Sequence, residues 1–512
     1  MIRRPLRSTL WTYATLFRSA NTSYCNGTSV HRSLNRAFSI HGVNHNTYVN
    51  NVVYDVHGHA FFIEDGSELH NTIKNNVAIL THSSTSNLNT DVTPANFWVV
   101  SPSNTIEGNH ACGSAAYGFW ISPFHPHSTG PSGSHDVCPA GHALESFQDN
   151  VAHSNKKYGV NIFQFWWPKE KMSNGKDDCR GANAQTADAP AVMRNHLSYK
   201  NKIHGVTMAH SDTGEIGAVV WDGLTSADNG LDHEDSAGFW LDNKIRAENG
   251  TMGIKNSVMI ALSNNDPHRR TIHRRGINFP KHDNIFSKDI TFVNYENENW
   301  AFEPQNWAAR RSFCFPWGWE AVISGVRFIN SPNKIRFRFD HHGTFNDMDG
   351  TLGGKVGSQI VPKTPIYDPA HCTEITGSLK PALACDYGYK VRRFGVSTFS
   401  EGAYHDIPWT IEGRTEDVIE IKHKYSIVAP VRRIIEIDFA HAFNPTTWDW
   451  IVNNRYMAVD KNIKCNTFYK ESRFAPTLPS TSPLESVWLP PLPNSEELLA
   501  GNECRSKCPP NY

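Results

Sequence analysis

One short pattern recurs along the first half of the chain and narrows its architecture. It reads small residue, apolar, variable, apolar, variable. Its copies are Asn35-Arg-Ala-Phe-Ser-Ile-His41, Gly58-His-Ala-Phe-Phe-Ile-Glu64, Ala116-Tyr-Gly-Phe-Trp-Ile-Ser122, Lys157-Tyr-Gly-Val-Asn-Ile-Phe163, Ile203-His-Gly-Val-Thr-Met-Ala209 and Ser236-Ala-Gly-Phe-Trp-Leu-Asp242. Alternation with period two marks a strand with one buried face. Polar corners precede the strands, among them Asn50-Asn51, Gly108-Asn109, Asp149-Asn150 and Asp228-Asn229-Gly230. Asn and Gly accept left-handed backbone at low cost. Short strands between polar corners, with no helical periodicity, predict an all-β fold: a right-handed parallel β-helix of the pectin-lyase type.

The alignment carries a register. Ala37 and Ala60 are 23 residues apart, about one coil. Later spacings are larger and predict either two coils or one coil with an excursion; the main excursions are 81–96 and 124–143. Phe38, Phe61, Phe119, Val160, Val206 and Phe239 then form one inward stack, and Ile40, Ile63, Ile121, Ile162, Met208 and Leu241 a second. The positions between them, Ser39, Phe62, Trp120, Asn161, Thr207 and Trp240, point outward, followed by His41, Glu64 and Asp242 in a further outward column. Coils stack about 4.8 Å apart, so His41 lies under Glu64 and Arg36 under His59. Residues 30–370 are assigned to the helix and 1–29 to a leader or truncated first coil. Longer alternating stretches, Val418–Tyr425 and Arg432–Phe439, predict a smaller antiparallel β module over 371–470, followed by a Pro-rich tail at 471–512.

Composition closes off several function classes. The 49 basic and 50 acidic residues leave a net charge of -1, which argues against a nucleic-acid partner. No run of apolar residues is long enough to span a membrane as a helix. Ten cysteines without a CxxC pair favour disulfides over zinc, and with the sequons at Asn21, Asn26 and Asn249 they predict a secreted glycoprotein. Residues 1–20 lack the continuous apolar centre of a signal peptide, so the chain is expected to be a fragment or to have a displaced start.

The stretch His57-Gly-His-Ala-Phe-Phe-Ile-Glu-Asp-Gly-Ser-Glu68 resembles the β-helix of the cell-migration-inducing hyaluronidase and fibrocystin-like family. The likeness extends through Phe97-Trp98, Gly118-Phe-Trp-Ile121, Ala152-His-Ser-Asn155 and Phe345-Asn-Asp-Met-Asp-Gly350, over roughly residues 30–370. The resemblance implies extracellular binding or depolymerisation of hyaluronan. It also implies a G8 module ahead of the helix, from which this chain departs by opening inside the helix.

The densest polar cluster is His41, His57, His59, Glu64, Asp65 and Glu68, with Arg36 beside it. A hydrolase would use one carboxyl as acid and another as base or nucleophile. A lyase would use a histidine to remove the proton α to a uronate carboxylate, with Arg36 or a metal neutralising that carboxylate. Glu64, Asp65, His59 and His41 are the candidate catalytic groups. Arg36, Phe62, Trp120, Glu68 and His57 are the candidate sugar-binding ones, with Trp98 and Trp240 as further stacking platforms. The plainer alternative makes His57-Gly-His59 and Asp65-Gly66 corner residues with satisfied hydrogen bonds. Calcium is the one cofactor left open. Asp347-Met-Asp-Gly350 looks like a calcium loop but lacks the remaining acidic ligands, and reads better as a turn. Trp166-Trp167 and Trp317-Gly-Trp319 are read as structural. A non-catalytic matrix-binding module and, more remotely, a pectin or alginate lyase without the usual basic triad are the competing functions. The oligomeric state stays open.

Overall fold

The computed structural model describes residues 22–386 apart from short stretches, the longest being 242–250, 265–273 and 305–319. Beyond them it describes the backbone strands Lys390–Ser397, Tyr404–Glu412, Val418–Ile421, Tyr456–Ala458 and Thr467–Tyr469. Residues 1–21, Asp242, Trp317, Trp319, the segment 432–439 and the Pro-rich tail lie outside the described residues.

The chain is an all-β parallel β-helix, and the only helical turns among the described residues are the 3-10 turns Asn89–Val92 and Pro139–Gly141. It divides into two units, residues 1–161 with 165–197, and residues 162–164 with 198–512. In the first unit one sheet runs in the order β1 (Phe38–Ile40), β2 (Phe61–Ile63), β3 (Ala95–Val99), β4 (Tyr117–Ile121) and β5 (Tyr158–Ile162). Phe38 pairs with Phe61, Phe61 with Phe97 and Phe97 with Phe119, all in parallel. Their rings stack at 4.7, 4.8 and 4.8 Å. Ile40 and Ile63 are paired and fully buried, as period-two alternation requires. In the second unit β6 (His204–Met208), β7 (Ser236–Leu241), β8 (Arg274–Phe279) and β9 (Trp300–Pro304) repeat the scheme, with Val206, Phe239, Ile277 and Phe302 in register.

Strand β3 belongs to a coil whose strand departs from the repeat. It makes the Phe61-to-Phe119 spacing two coils, although its Asn96 stands where the other copies have a small residue. The buried Asn96 donates its amide to the Ala78 carbonyl at 2.9 Å.

The Asn-rich corners divide their labour. Asn50, Asn75, Gly108 and Asp149 take positive φ, between 54° and 62°. The residue after each is a buried rung: the backbone N–H groups of Asn51, Asn76 and Asn109 donate to the side-chain oxygens of Asn76, Asn109 and Asn150 at 2.9, 3.0 and 3.0 Å. The amide of each lower rung is also used, Asn76 and Asn109 donating to the Tyr48 and Ile73 carbonyls. The ladder satisfies backbone polar groups that the coil corners would otherwise bury unpaired.

The outward columns need a correction. Phe62, Trp120 and Trp240 alternate with core residues as expected, yet they are only 2, 8 and 8 % exposed. Neighbouring side chains cover them: Arg36 and His59 lie on Phe62, Trp98 and Tyr117 on Trp120, and His204 on Trp240. A residue facing away from the core is therefore not at the surface here, and the sugar-stacking platform is not open.

Parallel pairing gives way in the second unit, where Thr344–Asp347 runs antiparallel to Ser358–Pro362 and Cys372–Ile375 antiparallel to Ala382–Cys385. Tyr404–Glu412 likewise lies antiparallel between Lys390–Ser397 and Val418–Ile421. Asp347 caps a turn by accepting from the Leu352 and Gly353 N–H groups at 3.1 and 2.7 Å, which is the turn reading of that motif. Disulfides join Cys138 to Cys179 and Cys372 to Cys385, while Cys25 and Cys112 are thiols. Trp166 and Trp167 are fully buried.

Candidate functional site

Strands β1 and β2 end in register at Ile40 and Ile63, and the next residue of each turns outward as His41 and Glu64. The backbone bond from Glu64 N–H to the Ile40 carbonyl, 3.3 Å, keeps that register past the strand ends. His41 Nε2 lies 2.5 Å from Glu64 Oε2, and its Nδ1 lies 3.6 Å from Asp65 Oδ1. Both side chains reach solvent, His41 at 32 % and Glu64 at 24 %, whereas Asp65 is 2 % exposed. Asp65 first, and Glu64 after it, raise the His41 pKa from 6.5 to about 10. Burial acts to raise the Asp65 carboxyl, but His41 and Ser132 together hold it below its ordinary value. The imidazole is thus a cation at neutral pH, held between two carboxylates.

Beneath this patch sits a closed layer. Arg36 donates through Nε and Nη2 to both oxygens of Asp91 at 3.1 and 2.8 Å. Its Nη1 is 3.5 Å from Glu64 Oε2, and its guanidinium carbon lies 3.8 Å over the Phe62 ring. Arg36 stacks beside His59 as the register requires, but its fork is occupied by Asp91 and is not free for a uronate. His59 is fully buried; its Nδ1 accepts from the Ala95 N–H at 3.0 Å, and its Nε2 faces Asp91 Oδ1 at 3.4 Å. Burial, opposed by Asp91, lowers its pKa to about 3. A sealed, neutral imidazole cannot exchange protons with a substrate, so His59 is corrected from acid–base group to structural cap.

Glu68 is corrected in the same way. It is fully buried and accepts from the Gly42 and Asp65 N–H groups through Oε1 at 3.0 and 3.1 Å, and from Gly66 N–H through Oε2 at 2.8 Å. Burial raises its pKa, with the backbone donors opposing. It fastens the Asp65-Gly66 corner rather than facing sugar. His57 stands on strand Val52–His57 beside His82, with ring centroids 5.2 Å apart.

Two members of the site were not legible in the sequence. Asp91 comes from the turn Asn89–Val92. Ser132, in a Ser- and Gly-rich loop, donates its hydroxyl to Asp65 Oδ2 and its N–H to the same oxygen at 3.4 Å. Both arrive through excursions, and only the fold brings them in. One ligand atom each of His41, Asp65 and Glu68 lie within 4.8 Å of one another. Calcium prefers six to eight oxygen ligands, and Glu68 is already saturated by backbone donors, so this set does not fit that ion.

This parallel β-helix presents a histidine between two carboxylates on its flank. Residues 9–160 match the family model described as the CEMIP beta-helix. The chain is related to fibrocystin-L of Mus musculus, 31% identical over 361 residues that make up 69% of this chain and 8% of that protein. It is also related to the cell migration-inducing and hyaluronan-binding protein of Homo sapiens, 29% identical over 66% of this chain and 29% of that protein. The cell surface hyaluronidase CEMIP2 of Homo sapiens is 26% identical over 41% of this chain and 18% of its own length. The chain therefore spans a small part of the curated relatives it matches. No helix among the described residues is long and apolar enough to cross a membrane.

Proposed function

We propose that this chain is an extracellular polysaccharide-acting protein that binds a hyaluronan-type glycosaminoglycan over the His41–Glu64 patch and hydrolyses it there. The observation that carries this reading is the partly exposed His41–Glu64 contact, 2.5 Å, backed by buried Asp65. The pair holds one mobile proton. It passes to the glycosidic oxygen as the C–O bond breaks, and the pair regains a proton from the water that adds to the anomeric carbon. Glu64 is the group that meets the sugar, His41 holds the proton and Asp65 supplies the opposing charge. Hydrolysis is favoured over histidine-driven β-elimination because that route needs a neutral accessible imidazole and a cation free to pair with the uronate. His41 is charged, His59 is sealed and Arg36 is committed to Asp91. The names of related hyaluronidases and a hyaluronan-binding protein support the choice of polymer.

The test is digestion of size-defined hyaluronan by the purified chain. Shortened, saturated products are expected, and Glu64→Gln should lower turnover by about two orders of magnitude or more while polymer binding persists. Products absorbing in the ultraviolet through an unsaturated uronate would replace hydrolysis with elimination. Intact polymer co-eluting with the protein would leave a binding module.

A further inference from the structure

The 124–143 excursion folds back over the patch, and its contacts converge on one carboxylate. Ser132 gives two donors, hydroxyl and N–H, to Asp65 Oδ2. Its hydroxyl is also 3.0 Å from that of Ser67. The Thr129 N–H donates to the Asp65 carbonyl at 2.8 Å. Gly130, at φ +75°, lies so close that a β-carbon there would sit 2.0 Å from Asp65 Oδ1, so only glycine lets the loop close on the carboxylate. Pro139, Phe124 and Ser128 crowd Gly66 in the same manner.

The loop is also tied at its base. Cys138 is bonded to Cys179, the Cys138 N–H donates to Asp177 Oδ2 at 3.2 Å, and His142 Nε2 lies 2.6 Å from the same oxygen. Within the loop, Ser134 N–H donates to the Ser128 hydroxyl, which donates to the Ser134 carbonyl, at 2.7 and 3.0 Å. These contacts fall on Asp65, Gly66 and Ser67, so the loop shapes the inner side of the patch.

We propose that Ser132 is a positioning residue of the His41–Glu64–Asp65 site, delivered by a loop whose closure depends on the Cys138–Cys179 disulfide. By occupying Asp65 Oδ2, Ser132 turns Oδ1 toward His41 Nδ1. By covering Asp65, the loop keeps water from weakening that carboxylate's hold on the imidazole. The functional weight of this inference rests on the hydrolase reading of the patch, but its physical content does not.

The experiment is a nuclear magnetic resonance pH titration of the His41 ring in the folded chain, which needs no substrate. In Ser132→Ala the His41 midpoint should fall by about one pH unit or more, because a freed and hydrated Asp65 stabilises the imidazolium less. Asp65→Asn sets the scale, and the double variant Cys138→Ser with Cys179→Ser should move the midpoint in the same direction. A Ser132→Ala protein that melts cooperatively and titrates as the parent does would overturn the proposal. If Ser132→Ala does not fold, the disulfide variant decides, and an unmoved midpoint there overturns it equally. Full turnover by Glu64→Gln would sink the hydrolase reading without touching this result, and an unmoved His41 midpoint would do the reverse.

Discussion

The two units of the helix build the same device twice, and among the described residues the first carries a solvent-reaching charged pair on top of it. In the first unit His59 Nδ1 accepts from the Ala95 N–H at 3.0 Å, and in the second His204 Nδ1 accepts from the Ala237 N–H at 3.1 Å. Each unit lays a guanidinium over an outward aromatic ring, Arg36 over Phe62 at 3.8 Å and Arg275 over Trp240 at 5.4 Å. Each guanidinium meets a buried carboxylate, Asp91 in the first case and Glu303, at 2.6 Å, in the second. The copies differ in what is added. Arg336, 13 % exposed, also reaches Glu303, 3.3 Å away, while Arg275 and Glu303 are 1 and 0 % exposed. The first unit adds His41 and Glu64, which reach water. The shared device is thus a way of ordering the flank of a coil, and function has to be sought in the residues laid on top of it.

The sharpest test removes the shared carboxylate from each unit. Asp91→Ala and Glu303→Ala each strand a buried guanidinium, so each should cost about 3–5 kcal/mol in denaturant unfolding. Only Asp91→Ala should also impair hyaluronan cleavage per folded molecule, since Arg36 supports Glu64. Equal loss of activity in both variants would break the distinction.

The core should not distinguish the units. Ile63→Ala and Ile277→Ala both empty a fully buried aliphatic position, and each should cost about 2–5 kcal/mol. A much smaller loss at Ile63 alone would mean that the first coils are loosely packed around the patch.

The last contrast is in pH, and it has two signs. His59 has a folded pKa of about 3 against 6.5 unfolded, so its contribution is complete above pH 6.5 and is lost as pH falls from there toward 3. His41 has a folded pKa of about 10, so its contribution is complete below pH 6.5 and is lost as pH rises toward 10. His41→Gln should therefore flatten the alkaline side of the stability profile, and it should also weaken the acid-side contribution of Asp65, whose carboxyl His41 helps to hold low. An unchanged alkaline side in that variant would detach the patch from the stability of the fold.

Much of the architecture was legible because it follows from alternation. A strand repeat of small residue, Phe, variable, Ile dictates which side chains enter the core, and stacking of equivalent coils then sets Phe38 against Phe61 and His41 beside Glu64. The corners were legible as corners, but their two roles were not. The left-handed residue and the buried rung that follows it are both often asparagine, and only the hydrogen bonds to the next coil tell them apart. Spacing left open whether Phe61 to Phe119 held two coils, and the strand at Ala95–Val99 escaped the pattern because Asn96 breaks it at the position where it finds a carbonyl partner.

The candidate site divides along the same line. His41, Glu64 and Asp65 come from adjacent coils in regular register, so local periodicity was enough to bring them together. What those groups can do was decided by chain segments far away in sequence. Asp91 takes the fork of Arg36, Ser132 holds Asp65, and burial leaves His59 neutral and Phe62 covered. Periodicity reports the direction of a side chain relative to its own strand. It carries no information about which excursion folds over that side chain, and burial and charge pairing depend on the excursion.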